Sequence, residues 1–263
     1  MCYNSNMKKS NIIAIVFIIG FSATCLSCVI FPIIGNGQLI TTEMTVSSFE
    51  KINVSGNTEV RFHASQGQRV VVTVDSNLSD YVDIFTRNRE LNIRLKNRGS
   101  YSFTRFLVDV YCPALTGISV SGSGSFTAMD KIVTSSFEAA ISGSGKTEGT
   151  IECGNFSAKI SGSGRINNNV VCDSLTADIS GSGEITITGT GRDSNVRISG
   201  SGDFKGIEYK TNNVSAQISG SGNLRIWVLD YLKASISGSG SVRYRGNPRI
   251  DFNGSGSGRL RAE

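Results

Sequence analysis

Ser142-Gly143-Ser144-Gly145 is the stretch that decides how this chain folds, because the same four residues begin again at Ser121, Ser161, Ser180, Ser199, Ser219, Ser237 and Ser255. In chain order the tetrads are separated by 21, 19, 19, 19, 20, 18 and 18 residues. One Gly/Ser tetrad reads as flexible linker. Eight at near-constant spacing, each preceded by an alternating apolar segment, read as a repeat in which every unit stacks on the next.

Counting from the first Ser of each tetrad gives columns. One place before it stand Val120, Ile141, Ile160, Ile179, Ile198, Ile218 and Ile236. Three before stand Ile118, Ala139, Ala158, Ala177, Val196, Ala216 and Ala234, and five after stand Phe126, Thr147, Ile166, Ile185, Phe204, Leu224, Val242 and Leu260. These positions share one parity, so in extended chain they face one side, which must be the core. The two Gly share that parity and let the wall bend, while the two Ser face outward or sit at the bend. A second apolar cluster, such as Ile151, Val170-Val171 or Trp227-Val228, precedes each tetrad by about ten residues, with turn residues Gly154-Asn155, Asp173-Ser174 and Asn212-Asn213 between. The expected fold is all-β: a single right-handed parallel β-helix of 18–21-residue rungs, each with three short strands and three bends. Stacking at roughly 4.8 Å per rung makes the tetrad column about 34 Å long. A closed β-sandwich is the alternative, which the regular tetrad disfavours.

Before the regular rungs the pattern is also β. Ile52/Val54, Val60/Phe62, Val70/Val72/Val74, Leu91/Ile93 and Phe106/Val108/Val110 alternate with polar neighbours. Residues 46–115 are expected as irregular rungs and 116–263 as regular ones. Phe49, Ile52, Val54, Gly56, Val60, Gln66-Gly67, Val72, Val74, Asn77-Leu78, Leu91 and Ile93 resemble the opening of the family described as "putative auto-transporter adhesin, head GIN domain", and the tetrads resemble its continuation. The resemblance spans roughly 46–260. It departs at Asn88-Arg89-Glu90, where that family usually has a Gly before the Leu-x-Ile strand. It implies an adhesin-like surface role and supplies no catalytic residue.

Met7-Lys8-Lys9 followed by the apolar run from Ile12 to about Leu26 has the form of a secretory signal over residues 1–27. The run ends Cys25-Leu26-Ser27-Cys28, which resembles a bacterial lipoprotein cleavage site with Cys28 as the lipidated residue, although the usual Leu three residues earlier is Cys25. Plain secretion and a retained anchor are the alternatives. Residues 28–45 then form a tether, and the first partner is a membrane reached through the N-terminal lipid. The expected location is the cell envelope, as an outer-membrane lipoprotein facing periplasm or cell surface.

The net charge of +5 falls to about +3 without Lys8 and Lys9, too little and too evenly spread for nucleic acid to be an expected partner. A single histidine, His63, and the absence of phosphate-loop, HExxH or paired CxxC patterns leave no expected cofactor and no expected metal site. Cys153 and Cys172 stand at equivalent places on adjacent rungs, close enough for a disulfide; parallel neighbours point side chains the same way, so two buried thiols are the other outcome. Lys159, Asp178 and Arg197 make an outward salt ladder, and Glu184 beside Asp203 reads as a pair of screened surface acids, with a cation site the rival reading. Lys205, Arg225, Arg243 and Arg261 form a basic column on successive rungs, and residues 225–263 hold seven basic against three acidic residues, with Trp227, Tyr231 and Tyr244 nearby. That column is the candidate site for an acidic glycan or lipopolysaccharide phosphate, set against a plain solvated face.

The rungs differ by only about three residues, leaving no long loops to wall a catalytic groove. A non-catalytic adhesin presenting a β-helix wall for glycan or surface contact is therefore the expected function. A polysaccharide lyase or hydrolase on a β-helix, or a periplasmic envelope or signalling scaffold, are the rivals. A β-helix also leaves strand edges at its ends, where Arg259-Leu260-Arg261 is expected to cap one and residues 49–112 the other. An end left uncapped would support a homodimer.

Overall fold

The computed structural model describes residues 32–96 and 99–263. Lys146–Gly162, Arg165–Gly181, Glu184–Gly200, Asp203–Gly220 and Asn223–Gly238 each make one circuit of a β-solenoid of about eight turns. Each pairs in parallel with the next. The register stacks Ile141, Ile160, Ile179, Ile198, Ile218 and Ile236 in one column, with the alanines two residues earlier in another. All of these side chains are buried, so the repeat read from the sequence is the core of the molecule.

Three short strands per rung were expected; most of the regular circuits run instead as one continuous strand of 16–18 residues. The reason is that single residues make the corners without interrupting the hydrogen bonds. At the tetrad bend Ser163 N donates to Gly143 O at 2.9 Å and Arg165 N to Gly145 O at 2.9 Å, so the ladder passes through. The first Gly takes a backbone conformation that other residues resist, φ +125° at Gly162 and +122° at Gly181. The second Gly is needed for space: a Cβ on Gly183 would lie 2.5 Å from Ile160 Cγ2 on the rung before. Both tetrad serines are exposed.

A nineteen-residue circuit is odd, whereas side chains alternate with period two. One slip of phase per turn is therefore unavoidable. In Arg165–Gly181 it falls after Cys172: positions 166, 168, 170 and 172 face inward, then 175, 177 and 179 do. Asp173 at that corner is left out of the pairing register, as Gly154 is one rung earlier. The longer 203–220 circuit takes up its surplus as a bulge, so that Gly206 faces Ile226 while Lys210, not residue 207, faces Trp227. Within it Tyr209 turns fully inward beneath Gly191, where a Cβ would come within 1.8 Å of its hydroxyl.

Lys51–Gly56 and Glu59–Ala64 are already a rung, pairing with Gly117–Gly122 and Ser125–Ala128. Residues 65–116 leave that rung, lay Glu90–Leu95 and Phe106–Cys112 against its other side, and return. Antiparallel strands complete this end: Arg69–Asp75 on Phe106–Cys112, and Val82–Arg87 on Glu90–Leu95. The turn between the last pair places Asn88 and Arg89 at φ +52° and +61°, a two-residue hairpin turn that favours Gly at its second place. The departure seen in the sequence thus puts an arginine where the backbone suits glycine.

The tether expected over 28–45 is not free chain from Ile33 onward. Leu39–Met44 adds antiparallel to the open edge of Arg69–Asp75, and Ile33–Ile34 pairs with Tyr101–Ser102. Backbone bonds and one buried carboxylate hold it: Asp75 accepts from Gly37 N at 2.9 Å and Thr104 N at 2.8 Å. Burial pushes the Asp75 carboxyl upward, but the Thr104 side chain and the amides of Gly37, Thr104 and Arg105 together hold it below the usual range. The side chains of Leu39–Met44 remain largely exposed, which is why hydrophobic patterning did not show the strand. Arg259–Ala262, expected to cap the far end, instead continues the wall by pairing with Ser241–Arg245. Among the described residues no helix is long and apolar enough to cross a membrane. The proposed signal, the tether's first residues and Cys28 lie outside the described residues.

Candidate functional site: a basic and aromatic face

After each tetrad bend the outward positions fall four, six and eight residues beyond the first Ser. The register places Lys205, Arg225, Arg243 and Arg261 in one column of four successive rungs. The column is not uniformly cationic in effect. Lys205 Nζ donates to Glu184 at 2.5 Å, and Arg225 Nε donates to Glu263 at 2.7 Å. The Arg225 partnership draws the Glu263 carboxyl below the usual range. Arg243 and Arg261 are exposed and make no ion pair among the described residues. Arg261, and an Arg243 that feels the Glu263 carboxylate without pairing to it, therefore offer guanidinium donors to something outside the chain.

Beside it runs a polar column. Asn223 Nδ2 donates to Asp203 at 3.0 Å, and Ser241 Oγ donates to Asn223 Oδ1 at 2.6 Å. Between the two columns lies a cavity of about 260 Å³ lined by Asp203, Lys205, Asn223, Arg225, Ser241 and Arg243. The adjacent acids Glu184 and Asp203 are engaged by Lys205 and Asn223. Among the described residues no group of three or more His, Cys, Asp or Glu could hold a metal ion.

Of the three aromatics named with this site, the fold brings one to it. Trp227, two residues beyond Arg225, stacks between Lys210 on the rung below and Arg245 on the rung above. The Lys210 ammonium lies 5.3 Å and the Arg245 guanidinium 4.2 Å from the ring centroid. Cations over an indole face are attracted by its quadrupole, so Trp227 keeps two positive groups spaced and outward beside Arg225 and Arg243. The bulge at residues 207–209 is what brings Lys210 opposite Trp227; no count from the tetrad would find it. Tyr231 stands on the tetrad wall and donates to Asp251 at 3.2 Å, while Tyr244 packs partly against the core.

A larger groove, about 790 Å³, follows the tetrad wall between the Ser121–Ser237 column and the Ser119–Ser235 column. Its charges are satisfied internally: Arg197 lies 3.6 Å from Asp178, and Lys159 donates to Glu138 at 2.7 Å. It offers a ladder of hydroxyls and no unpaired charge, which makes it the weaker candidate for an anion.

Cys153 and Cys172 stack in register as anticipated, and of the two outcomes left open for them it is the pair of buried free thiols that the structure holds. Parallel neighbours aim both Sγ atoms into the core in the same direction. Burial pushes Cys153 up to about 12 and raises Cys172, whose Sγ lies 3.4 Å from Tyr209 Oη. His63 sits on the amino-terminal rungs, 3.0 Å from Asp109 and stacked on Tyr111 at 4.7 Å.

Three solved structures share this architecture. A "putative adhesin" from Parabacteroides merdae is 26% identical, with 88% of this chain and 98% of that one aligned at a TM-score of 0.84. A "putative lipid binding protein" from Parabacteroides distasonis is 28% identical over 89% and 100% of the two chains, at 0.84. A "putative adhesin" from the same species is 28% identical over 89% and 100%, at 0.83. Among curated proteins none matches. With residues 48–248 matched, the chain belongs to the family described as "putative auto-transporter adhesin, head GIN domain".

Proposed function

We propose that this chain is a non-catalytic adhesin-like protein of the bacterial cell envelope, held to a membrane by a lipid on Cys28, whose Lys205–Arg261 wall contacts an acidic glycan or the phosphates of lipopolysaccharide. Family membership and the adhesin descriptions of two structural relatives support the surface role. The observation that carries the ligand class is the pair Arg243 and Arg261. They lie on adjacent rungs at roughly 4.8 Å, where like charges oppose each other unless an anion joins them, and Trp227 holds Lys210 and Arg245 beside them. Charge-assisted bonds from guanidinium to carboxylate, sulfate or phosphate are the strong, directional contacts such a wall can make.

The test is retention on immobilised heparin and lipopolysaccharide, compared between the native chain and the combined Arg225→Ser, Arg243→Ser, Arg261→Ser variant. The variant should elute at markedly lower salt, because each lost contact removes released counterions from the balance. Equal elution would defeat the assignment. Shortened oligosaccharides recovered after incubation with acidic glycans would turn the reading toward an enzyme. The lipid is tested separately: Cys28→Ser should move the protein from the membrane fraction to the soluble fraction of the envelope.

A further inference from the structure

The two ends of the stack are finished differently. At the amino-terminal end Leu39–Met44 and Val82–Arg87 run antiparallel over the outermost strands, and the 3-10 turn Ser76–Tyr81 buries Leu78 between them and the core. At the other end Arg249–Gly256 pairs only with Asn223–Gly238, and Arg259–Ala262 only with Ser241–Arg245; among the described residues no strand lies beyond either. Ile250 and Phe252 continue the columns of Leu232 and Ala234, which are buried, yet each is 41% exposed. The surface there is a cross-section of core bordered by unpaired amides and carbonyls, which templates a further strand.

We propose that this end docks onto the same end of a second copy, across a two-fold axis that passes beside Phe252 and normal to the tetrad wall. Such an axis sets Arg249–Gly256 antiparallel to its counterpart and leaves both inward rows facing one joined core. The row Ile250–Phe252–Gly254 is self-complementary about its centre. Phe252 meets Phe252 of the second copy, and Ile250 meets Gly254 of the second copy, over which the Phe252 ring of that same copy leans, so each isoleucine packs on an aromatic ring across the seam. On the outer face Arg249 falls opposite Ser255 of the second copy and Asp251 opposite Asn253 of the second copy, so no charge directly opposes its like. The rotation also exchanges left and right of the tetrad wall. It therefore carries the two Arg243/Arg261 faces to opposite sides of the dimer, where they do not repel at close range. This proposal does not depend on what those faces bind.

Sedimentation velocity on the full chain over a concentration series reads the association directly, and Phe252→Lys should weaken it about 30-fold, the loss expected for the central anchor of an interface. Circular dichroism of that variant should match the native spectrum, since the side chain is already 41% exposed. A chain that stays monomeric throughout, or a dimer that Phe252→Lys does not weaken, overturns the proposal. Cross-linking tests the axis. Directly opposed residues of antiparallel strands have Cα atoms about 4.5–5.5 Å apart, within disulfide reach, so Phe252→Cys should join two copies through the introduced thiols on mild oxidation. In Ile250→Cys the introduced thiols are about 14 Å apart along the strands and should not join. Equal linkage of both, mapped by peptide mass, overturns the two-fold at Phe252.

Discussion

The tetrads repeat Ser and Gly with equal fidelity, but the structure assigns them unequal weight, and substitution within one tetrad measures the difference. Gly181→Ala places a Cβ at a backbone with φ +122° and only 2.6 Å from Gly162 O, a main-chain atom fixed in the ladder. Conformational strain of about 1–3 kcal/mol and a contact that cannot relax by rotation, about another 1–3 kcal/mol, together cost about 2–6 kcal/mol. Gly183→Ala meets the Ile160 methyl at 2.5 Å from an ordinary backbone, so only the packing cost of about 1–3 kcal/mol applies. Ser180→Ala and Ser182→Ala change exposed side chains and should stay within about 0.5 kcal/mol. Thermal unfolding followed by circular dichroism should rank them in that order, with Gly181→Ala lowering the midpoint by about 4–24 °C. Ser182→Ala as damaging as Gly181→Ala would refute the reasoning, because it would make the hydroxyls, not the bend, the structural requirement.

Three further outcomes follow from the site and the cap. Asp75, with its carboxyl held low, contributes stability that is complete above its ordinary value of 3.8 and lost as pH falls through the lower folded value; amide exchange at Gly37 and Thr104 should accelerate only in that acid range, and at all pH in Asp75→Asn. Glu263→Gln removes the carboxylate that engages Arg225, so heparin retention should move to higher salt, the opposite direction from the arginine variants. Cys112 and Cys153, both pushed up to about 12 by burial, and the likewise raised Cys172, should resist maleimide at neutral pH in the folded chain. After unfolding without reductant, peptide mapping should find all three labelled; label on Cys112 alone would mean a Cys153–Cys172 bridge.

The columns were legible because in a solenoid the register is the repeat itself: the isoleucine before each tetrad stacks on the next isoleucine wherever spacing alone is conserved along the chain. The basic column followed from the same count. What the count could not carry was any departure from it. Trp227 meets Lys210 only because residues 207–209 bulge, and Glu263 neutralises Arg225 from 38 residues away through a strand expected to be a cap. Leu39–Met44 escaped notice for a different reason. It is held by main-chain bonds to a free edge and by Asp75, and neither leaves a periodic trace in side-chain type. The cysteine pair was legible for the same reason as the columns: parallel Cβ vectors point one way, which set two buried thiols against a bridge, and Cys153 and Cys172 are free.

Each nineteen-residue circuit contains its own phase slip and its own bend, and touches only the layers directly above and below. A tandem duplication of one circuit could therefore enter the middle of the molecule without disturbing either terminus, adding roughly 4.8 Å of wall and one more member to every column. Length in such a protein is a matter of copy number. A lineage can change its reach, or the number of cations displayed in a row, by genetic counting alone, with no new packing problem to solve.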